Sequence, residues 1–188
     1  MSRSEPVELR YFSPESVAAA GEHAEPGCGA RLRLGRVTPS DQLQSRIARR
    51  ESPVEVGFYE TLRWTEPPDD YVRRALVREL FELRGLAQST SRRDPTLDVE
   101  VVGFEEARVD GRPAGRVQLR YQLQDGDGVT RGEITRQRLA QGADIAQVVA
   151  AIGGAMADAT SELASRVVAS LCAPGRAPEQ PRTSAPVP

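Results

Sequence analysis

The stretch YETLRWTEPPDDYVRRALVRELFELRG, residues 59–85, decides how this chain folds. It joins an extended segment to a strong helix, and Trp64, the only tryptophan, lies at the junction. Aromatic residues make up only 5% of the sequence. Large rings are costly to leave exposed to water, so we expect Trp64 to be buried in the core.

The second half of this stretch carries the signals of a helix from about 67 to 84. Pro67 and Pro68 suit a first helical turn, where a missing N–H costs nothing. Gly85 can end the helix by adopting a left-handed conformation. One apolar stripe at helical spacing predicts a face packed on a core, and its members are Val72, Leu76, Leu80 and Leu83.

Segments before this helix alternate between apolar and polar residues, as half-buried strands do. Three such strands are predicted, from Val7, Leu9 and Tyr11, from Leu32, Leu34 and Val37, and from Val54, Val56 and Phe58. Between the last two, residues 43–50 lack a clear alternation. They are interpreted as a short amphipathic or irregular piece.

Three further strands follow the helix after a polar link at 88–95. They are predicted at 97–109, with Gly103 as a bulge, at 117–123 and at 129–138. The DGRPAG and DGDG turns between them predict an antiparallel meander. Glu105 and Glu106 point to opposite faces of the first of these strands, so they are poor acid/base partners.

The final element is a helix from 144 to about 171. Asp144 and Gln147 have the spacing of a capping box. A continuous apolar stripe follows, and Gly153 and Gly154 would let a neighbouring backbone approach closely while weakening or bending the helix.

These elements predict an α+β fold, with an antiparallel or mixed sheet and two main helices packed on one face. We divide the chain into a polar N-terminal extension at 1–6, one domain at 7–173 and a disordered proline-rich tail at 174–188. The other face of the sheet would then be polar. Arg120 and Gln122 are prominent there and are candidates for contact with a partner, the alternative being a solvated face.

Composition excludes several classes of function. The formal charge is −2, every basic residue is arginine, and no basic stripe follows a strand or helix, so nucleic-acid binding is disfavoured. No apolar run is long enough to span a bilayer. A disulfide between Cys28 and Cys172 would require an oxidising compartment, and the sequence leaves open whether the two cysteines meet.

No motif predicts catalysis, a metal or a cofactor. His23, the sole histidine, and Cys28 lie among glycines and prolines with no surrounding motif. Asp125 and Asp127 resemble a calcium loop only superficially, because the final bidentate glutamate is missing, and a hairpin turn explains them better. A lysine-containing phosphate loop is excluded because the chain has no lysine. The domain therefore acts through its surfaces.

The whole pattern resembles the ABC-type transport auxiliary lipoproteins over about residues 7–171. The most specific similarity is Arg63-Trp64, followed by Glu66 and Pro67, at the opening of a helix. Other segments with similarity are VELRYFSPE, LQSRIARRESPVEV, LDVEVVGFE and the alanine-rich last helix.

The resemblance implies a non-enzymatic periplasmic accessory subunit of an MCE-type ABC lipid transport system. Such a subunit would assemble with an MCE-domain protein, link it to the outer membrane and form a homo-oligomer, with lipid as a further partner. The family normally has a leader ending at a lipidated cysteine, and MSRSEP has none. Either the chain was trimmed and given a new start, or this member is not lipidated.

The alternative function is of another class. The chain would be an envelope binding domain, similar in shape to the amino-terminal domain of TolB, that is not part of a transporter. Capture of an MCE protein would favour the first function, and capture of a different envelope protein would favour the second.

Overall fold

The computed structural model describes residues 8–14, 27–126 and 128–173. The predicted extension 1–6, the tail 174–188 and His23 lie outside the described residues. A π-helix, Arg78–Leu83, directly follows the first α-helix. In chain order the other elements are β1 Arg10–Phe12, β2 Arg31–Pro39, β3 Arg46–Ser52, β4 Glu55–Trp64, α1 Pro68–Val77, β5 Ala87–Gln88, β6 Thr96–Val109, β7 Arg112–Asp125, β8 Gly128–Leu139 and α2 Ile145–Leu171.

The strands form one mixed sheet of eight strands, which confirms the predicted α+β class. β6 is its central strand. One edge of β6 pairs antiparallel with β7, and β7 pairs antiparallel with β8, as the predicted meander requires. The other edge of β6 is shared, because β2 pairs parallel with residues 96–101 and β3 with residues 105–106. β4 joins β3 to β1, and β5 pairs with β2.

The bulge predicted at Gly103 is present, since the pairing of β6 with β7 shifts between Val101 and Gly103. This shift keeps the apolar residues on one face across the irregularity. Val101 lies opposite Leu119 before the bulge, and Phe104 lies opposite Val117 after it. All four side chains of these two pairs are fully buried.

The segment 43–50 was expected to be a short amphipathic or irregular piece, and that interpretation is wrong for its second half, which forms β3. Ile47 and Ala48 are consecutive and both buried. Neighbours in a strand point to opposite faces, so both sides of β3 are covered and the alternation that marks a half-buried strand is absent.

The strand predicted from Val54, Val56 and Phe58 exists as β4, but its apolar residues are not all inward. Val54 is 95% exposed and precedes the strand. Phe58 lies at the surface, with the Arg46 guanidinium 5.3 Å from the centre of its ring. Similarly, the described part of the first strand leaves Tyr11 61% exposed, while Phe12 packs against the core.

Trp64 lies at the end of β4 and is 2% exposed, which confirms its predicted burial. Its ring packs edge-on against Phe104 at 5.3 Å and Tyr71 at 6.4 Å between centroids. The Tyr71 hydroxyl lies 2.6 Å from the Thr65 hydroxyl and accepts the Glu66 N–H. This cluster therefore holds the junction between sheet and helix on both its apolar and its polar side.

α1 begins at Pro68, as the two prolines predict, but a single α-helix to about residue 84 is wrong. The α-helix ends at Val77, and the wider turns of the π-helix continue to Leu83. Leu80 remains fully buried, whereas Leu83 is only half-buried. An extra residue per turn rotates the later side chains, so Leu83 leaves the predicted stripe. Gly85 then has the predicted positive φ of 63°.

α2 begins after Asp144, whose side chain accepts the Ala146 N–H at 2.9 Å. The close approach of a neighbouring backbone, predicted at the two glycines of α2, is confirmed at Gly153. A Cβ on Gly153 would overlap the Pro14 carbonyl, and one on Gly154 would lie 2.7 Å from the Arg138 side chain. Gly153 therefore needs glycine for space, whereas the neighbour of Gly154 is a flexible side chain that can move aside.

The two helices lie side by side on one face of the sheet. α1 packs against β2 and β6, and α2 packs mainly against β7 and β8. We call this the helix-covered face and the opposite one the open face. Of the helices that the structure describes, none has the length and apolar character needed to cross a membrane.

Candidate functional site

The open face of β2, β6, β7 and β8 carries the residues predicted to contact a partner. Paired residues of neighbouring strands share a face, so the register gives two rows of side chains across it. We call the first the Arg36 row and the second the Arg120 row. The Arg36 row consists of Arg36, Asp98, Gln122 and Arg131, and the Arg120 row of Thr38, Glu100, Arg120 and Glu133.

These two rows line a groove of about 620 Å³, which we call the charged groove. Its volume lies within the range of small-molecule sites, about 300–1,000 Å³. The intervening residues Val99, Tyr121 and Gly132 also line it. The lining residues are Arg36, Thr38, Asp98, Val99, Glu100, Arg120, Tyr121, Gln122, Arg131, Gly132 and Glu133.

A bulge in β2 places Arg36 at one wall of this groove. The pairing of β2 with β6 shifts between Leu34 and Val37, which leaves Gly35 and Arg36 opposite Asp98. Asp98 Oδ1 accepts the Arg36 N–H at 2.7 Å. A Cβ on Gly35 would overlap that carboxylate. The bulge is thus held by a specific contact, and bulges commonly re-aim side chains next to functional sites.

Arg131 forms the opposite wall, on β8. Its Nε donates to Gln122 Oε1 at 3.0 Å, which orients the guanidinium. Within the ranges that the structure describes, neither Arg36 nor Arg131 forms an ion pair with a carboxylate. The Arg36 row contains two guanidiniums and one carboxylate, so its net charge is positive.

The Arg120 row has the opposite balance. Arg120 lies between two carboxylates, at 2.8 Å from Glu100 Oε2 and 3.7 Å from Glu133 Oε2. Gln118 also donates to Glu133 at 2.7 Å. These ion pairs are exposed to solvent and contribute little stability, about 0–1 kcal/mol each. With one guanidinium between two carboxylates, the row has a net negative charge.

Beyond the groove, the open face contains a buried carboxylate that is paired with arginines. Glu105 is 2% exposed and forms ion pairs with Arg50 at 2.6 Å and Arg116 at 2.7 Å. Gly103 makes room for this arrangement, since a Cβ there would lie 2.6 Å from the Arg116 guanidinium. The buried carboxylate is paired with two guanidiniums, so Glu105 is a structural support rather than a free binding group.

Glu106, the next residue, lies on the helix-covered face, because it pairs with Gly115, which abuts the backbone of α2. It accepts a short hydrogen bond from the Tyr59 hydroxyl. Burial, followed by this hydrogen bond and the charge of Glu106, raises the pKa of Tyr59 to about 12. The phenol is therefore held neutral as a donor to the carboxylate. As predicted, the two carboxylates lie on opposite faces and cannot act as a pair.

The structure places the similar residues at 63–67 away from the charged groove, at the junction of β4 and α1. Arg63 donates to the carbonyl oxygens of Tyr59 and Leu62 at 3.2 and 3.0 Å. Glu66 forms an exposed ion pair with Arg74 at 2.6 Å. Pro67 is the N-cap residue of α1. Together with buried Trp64, these contacts give the motif a role in shaping the fold.

The structure joins Cys28 and Cys172 in a disulfide, with their Cα atoms 5.9 Å apart. The bond ties the segment before β2 to the end of α2, across 144 residues. Its closure settles a question that the sequence left open.

Within the described residues, no group of three or more His, Cys, Asp or Glu side chains could hold a metal ion. Asp127, part of the superficial calcium loop, lies outside those residues, as does His23.

Sequence reasoning identified Arg120 and Gln122 but missed Arg36, Asp98 and Arg131. One signal was available for the first of these. Gly35 interrupts an alternating strand, and a glycine inside a strand pattern often marks a bulge. Arg131 had no comparable signal, because the apolar residues of its predicted strand, Val129 and Ile134, do not alternate regularly with polar ones.

Comparison with known proteins gives one family. The model of the family described as ABC-type transport auxiliary lipoprotein component matches residues 12–164. No protein of curated function matches this sequence.

Several solved structures share the fold. A protein from Xanthomonas campestris has 22% identity and a TM-score of 0.69, with 85% of this chain and 95% of that chain covered. An uncharacterized protein has 19% identity and a TM-score of 0.66, with 85% and 99% covered. A hypothetical protein from Chlamydia trachomatis has 10% identity and a TM-score of 0.57, with 77% and 98% covered. At these identities the similarity concerns the fold alone.

Proposed function

This chain belongs to the family of ABC-type transport auxiliary lipoprotein components, and we propose that it is a non-enzymatic accessory subunit of an MCE-type lipid transport system. In this role it assembles with the MCE protein and links it to the outer membrane. The observation that carries the proposal is the match of the family model to most of the domain, residues 12–164.

The disulfide supports a periplasmic location. Disulfides form and persist in oxidising compartments and are rare in the reducing cytosol. The Cys28–Cys172 bond closes the domain by tying two distant segments together. Such a staple suits a protein that works outside the inner membrane.

The open face is the proposed contact surface for the MCE protein, with Arg120 and Gln122 at its centre. Arg120 is about half exposed and is held between two carboxylates that belong to different strands. An arginine in this position can exchange one of these pairs for a carboxylate of a partner, because exposed ion pairs are weak. Assembly as a homo-oligomer would present several copies of this face together.

The test is capture of the cognate MCE protein by the purified chain, with size-exclusion chromatography and light scattering to measure the assembly. We expect a complex of defined mass, weakened by Arg120→Glu. Arg93→Glu is the matched control, because Arg93 is an exposed arginine in the loop before β6. Capture that is unchanged by Arg120→Glu would remove the open face from the interface.

Recovery of a different envelope protein, with no transporter subunit, would contradict the transport role itself. That result would favour the envelope binding domain that the sequence left as an alternative.

A further inference from the structure

The two rows of the charged groove carry net charges of opposite sign, even after the ion pairs within each row are counted. The Arg36 row carries two guanidiniums and one carboxylate, and the Arg120 row carries two carboxylates and one guanidinium. The rows are two residues apart along β6 and β7, because Asp98 pairs with Gln122 and Glu100 with Arg120. At about 3.4 Å per residue, the two rows lie about 7 Å apart.

The Arg36 row, which is net positive, can bind an anion. Arg36 and Arg131 line opposite walls, and neither has a carboxylate partner in the described parts of the chain. Arg36 is placed by the bulge that Asp98 caps, and Arg131 is oriented by Gln122. Guanidinium groups bind phosphate through paired N–H donors, and the anion between two such walls would be held from both sides.

The Arg120 row, which is net negative, can bind a cation. Glu100 and Glu133 share one guanidinium, so their four oxygens offer more acceptors than Arg120 can fill. A primary ammonium supplies three donors and suits such carboxylates. Quaternary ammonium groups instead depend on aromatic faces, and Tyr121, the aromatic residue among those lining the groove, is 8% exposed and alternates with Arg120 and Gln122, so its ring points to the helix-covered face.

We propose that the charged groove binds a zwitterionic phosphodiester with a primary ammonium group. The phosphate lies between Arg36 and Arg131, and the ammonium lies at Glu100 and Glu133. The groove volume of about 620 Å³ admits such a head group with the first atoms of whatever it is attached to. This proposal names a ligand for the proposed function. The chemistry of the ligand follows from the groove alone, and only the statement that the head group belongs to a lipid rests on the proposed function.

The direct test uses glycerophosphoethanolamine, a soluble form of the head group, followed by two-dimensional NMR of the amide groups. We expect saturable shifts at Asp98, Gln122 and Gly132, with a dissociation constant of about 1 mM or below, equivalent to about −4 kcal/mol. Absence of saturable shifts at about ten times that concentration would overturn the proposal.

Two comparison ligands test the division of charge between the rows. Glycerol 3-phosphate has the anion without the cation, and glycerophosphocholine has a quaternary ammonium in place of the primary one. Both should bind more weakly than glycerophosphoethanolamine. Equal binding of all three would overturn the assignment of the ammonium to the Arg120 row.

Arg36→Gln and Arg131→Gln test the groove itself. Each should weaken binding about tenfold, the value expected for losing one charge-assisted hydrogen-bonding group. Arg93→Gln is the control, since it removes the same charge outside the groove. Melting curves of all three variants check that the fold is intact. Unchanged affinity in both groove variants would show that the ligand binds elsewhere.

Vesicles distinguish the two sources of the head group. The fraction of protein that sediments with vesicles is compared between vesicles rich in phosphatidylethanolamine and vesicles rich in phosphatidylglycerol. A larger fraction with phosphatidylethanolamine, lost in Arg36→Gln, would support a membrane lipid as the ligand. Binding of the soluble head group without binding to vesicles would support a free phosphodiester instead. Neither ligand experiment requires the MCE protein. A groove that binds no head group and a chain that captures no MCE protein are therefore distinguishable results.

Discussion

The two faces of the sheet handle buried charge differently, and Glu105 and Glu106 show the difference on adjacent residues. On the open face, Glu105 is held by the guanidiniums of Arg50 and Arg116. On the helix-covered face, Glu106 accepts a hydrogen bond from the neutral hydroxyl of Tyr59. On the open face the buried carboxylate is therefore held by full positive charges, whereas on the helix-covered face it is held by a neutral donor.

This difference separates stability from recognition. The helix-covered face packs the aromatic cluster and the apolar side chains of β6 and β7 against α1 and α2. The open face contains exposed ion pairs that add little to folding. Substitutions on the first face should therefore change the free energy of unfolding, and those in the groove should change binding. Four experiments test or refine that division.

The largest effect is expected for Trp64→Ala. The ring is 2% exposed and contacts both Phe104 and Tyr71, so its removal leaves a cavity at the junction of β4 and α1. We expect a loss of about 3–5 kcal/mol in the free energy of unfolding, measured by chemical denaturation. Tyr11→Ala, at a side chain that is 61% exposed, should change it by less than about 0.5 kcal/mol. Similar values for the two variants would contradict the assignment of the core.

The disulfide should contribute the next largest effect. Cys28 and Cys172 close a loop of 144 residues, and cross-links restrict the unfolded chain more when the loop is long. Replacing both cysteines with serine should cost about 2–5 kcal/mol. Denaturation of the wild type with and without a reductant provides the same comparison without a mutation. A chain equally stable when reduced would show that the bond is dispensable.

Glu105→Gln compares a buried charge with an exposed one on the same face. The change leaves Arg50 and Arg116 without their shared carboxylate, and we expect a loss of about 2 kcal/mol, because both arginines can still reach water in part. Glu100→Gln is the matched variant in the groove, where the carboxylate is 40% exposed, and it should cost less than about 1 kcal/mol. An equal loss of unfolding free energy at the two positions would mean that Glu105 is not more buried than Glu100 in solution.

The smallest effect concerns alkaline pH. The pKa of Tyr59 is raised to about 12, so the neutral phenol is favoured in the folded chain. Its contribution to stability is fully present below the ordinary tyrosine pKa of about 10 and is lost as the pH rises toward 12. Unfolding measured from pH 9 to 12 should show a smaller loss of stability in Tyr59→Phe than in the wild type. Identical pH profiles would show that Tyr59 does not titrate differently on folding.

Much of the fold could be predicted because its signals are local. Leu119 and Leu123 alternate with Arg120 and Gln122, and this alternation alone places the second pair on a polar face. The position of Gly85 predicted the end of the first helical segment. β3 was not predicted, because Ile47 and Ala48 are buried on both faces and leave no alternation.

The charged groove could be predicted only in part. Arg120 and Gln122 belong to the most regular strand of the meander, so their shared face was evident from spacing. Arg36 and Arg131 lie at the two ends of the row that Gln122 belongs to, and they come from β2 and β8. No local pattern connects those strands.

The sequence by itself determined which side of β7 and of α2 is apolar, because side-chain direction repeats every two or 3.6 residues along a regular element. Only the tertiary structure decided which strands are neighbours. β2 and β3 share one edge of β6, and that order brings Arg36 into one groove with Arg131. Strand pairing is made by backbone hydrogen bonds, which are the same for nearly every residue type, so distant partners leave no mark in a single sequence.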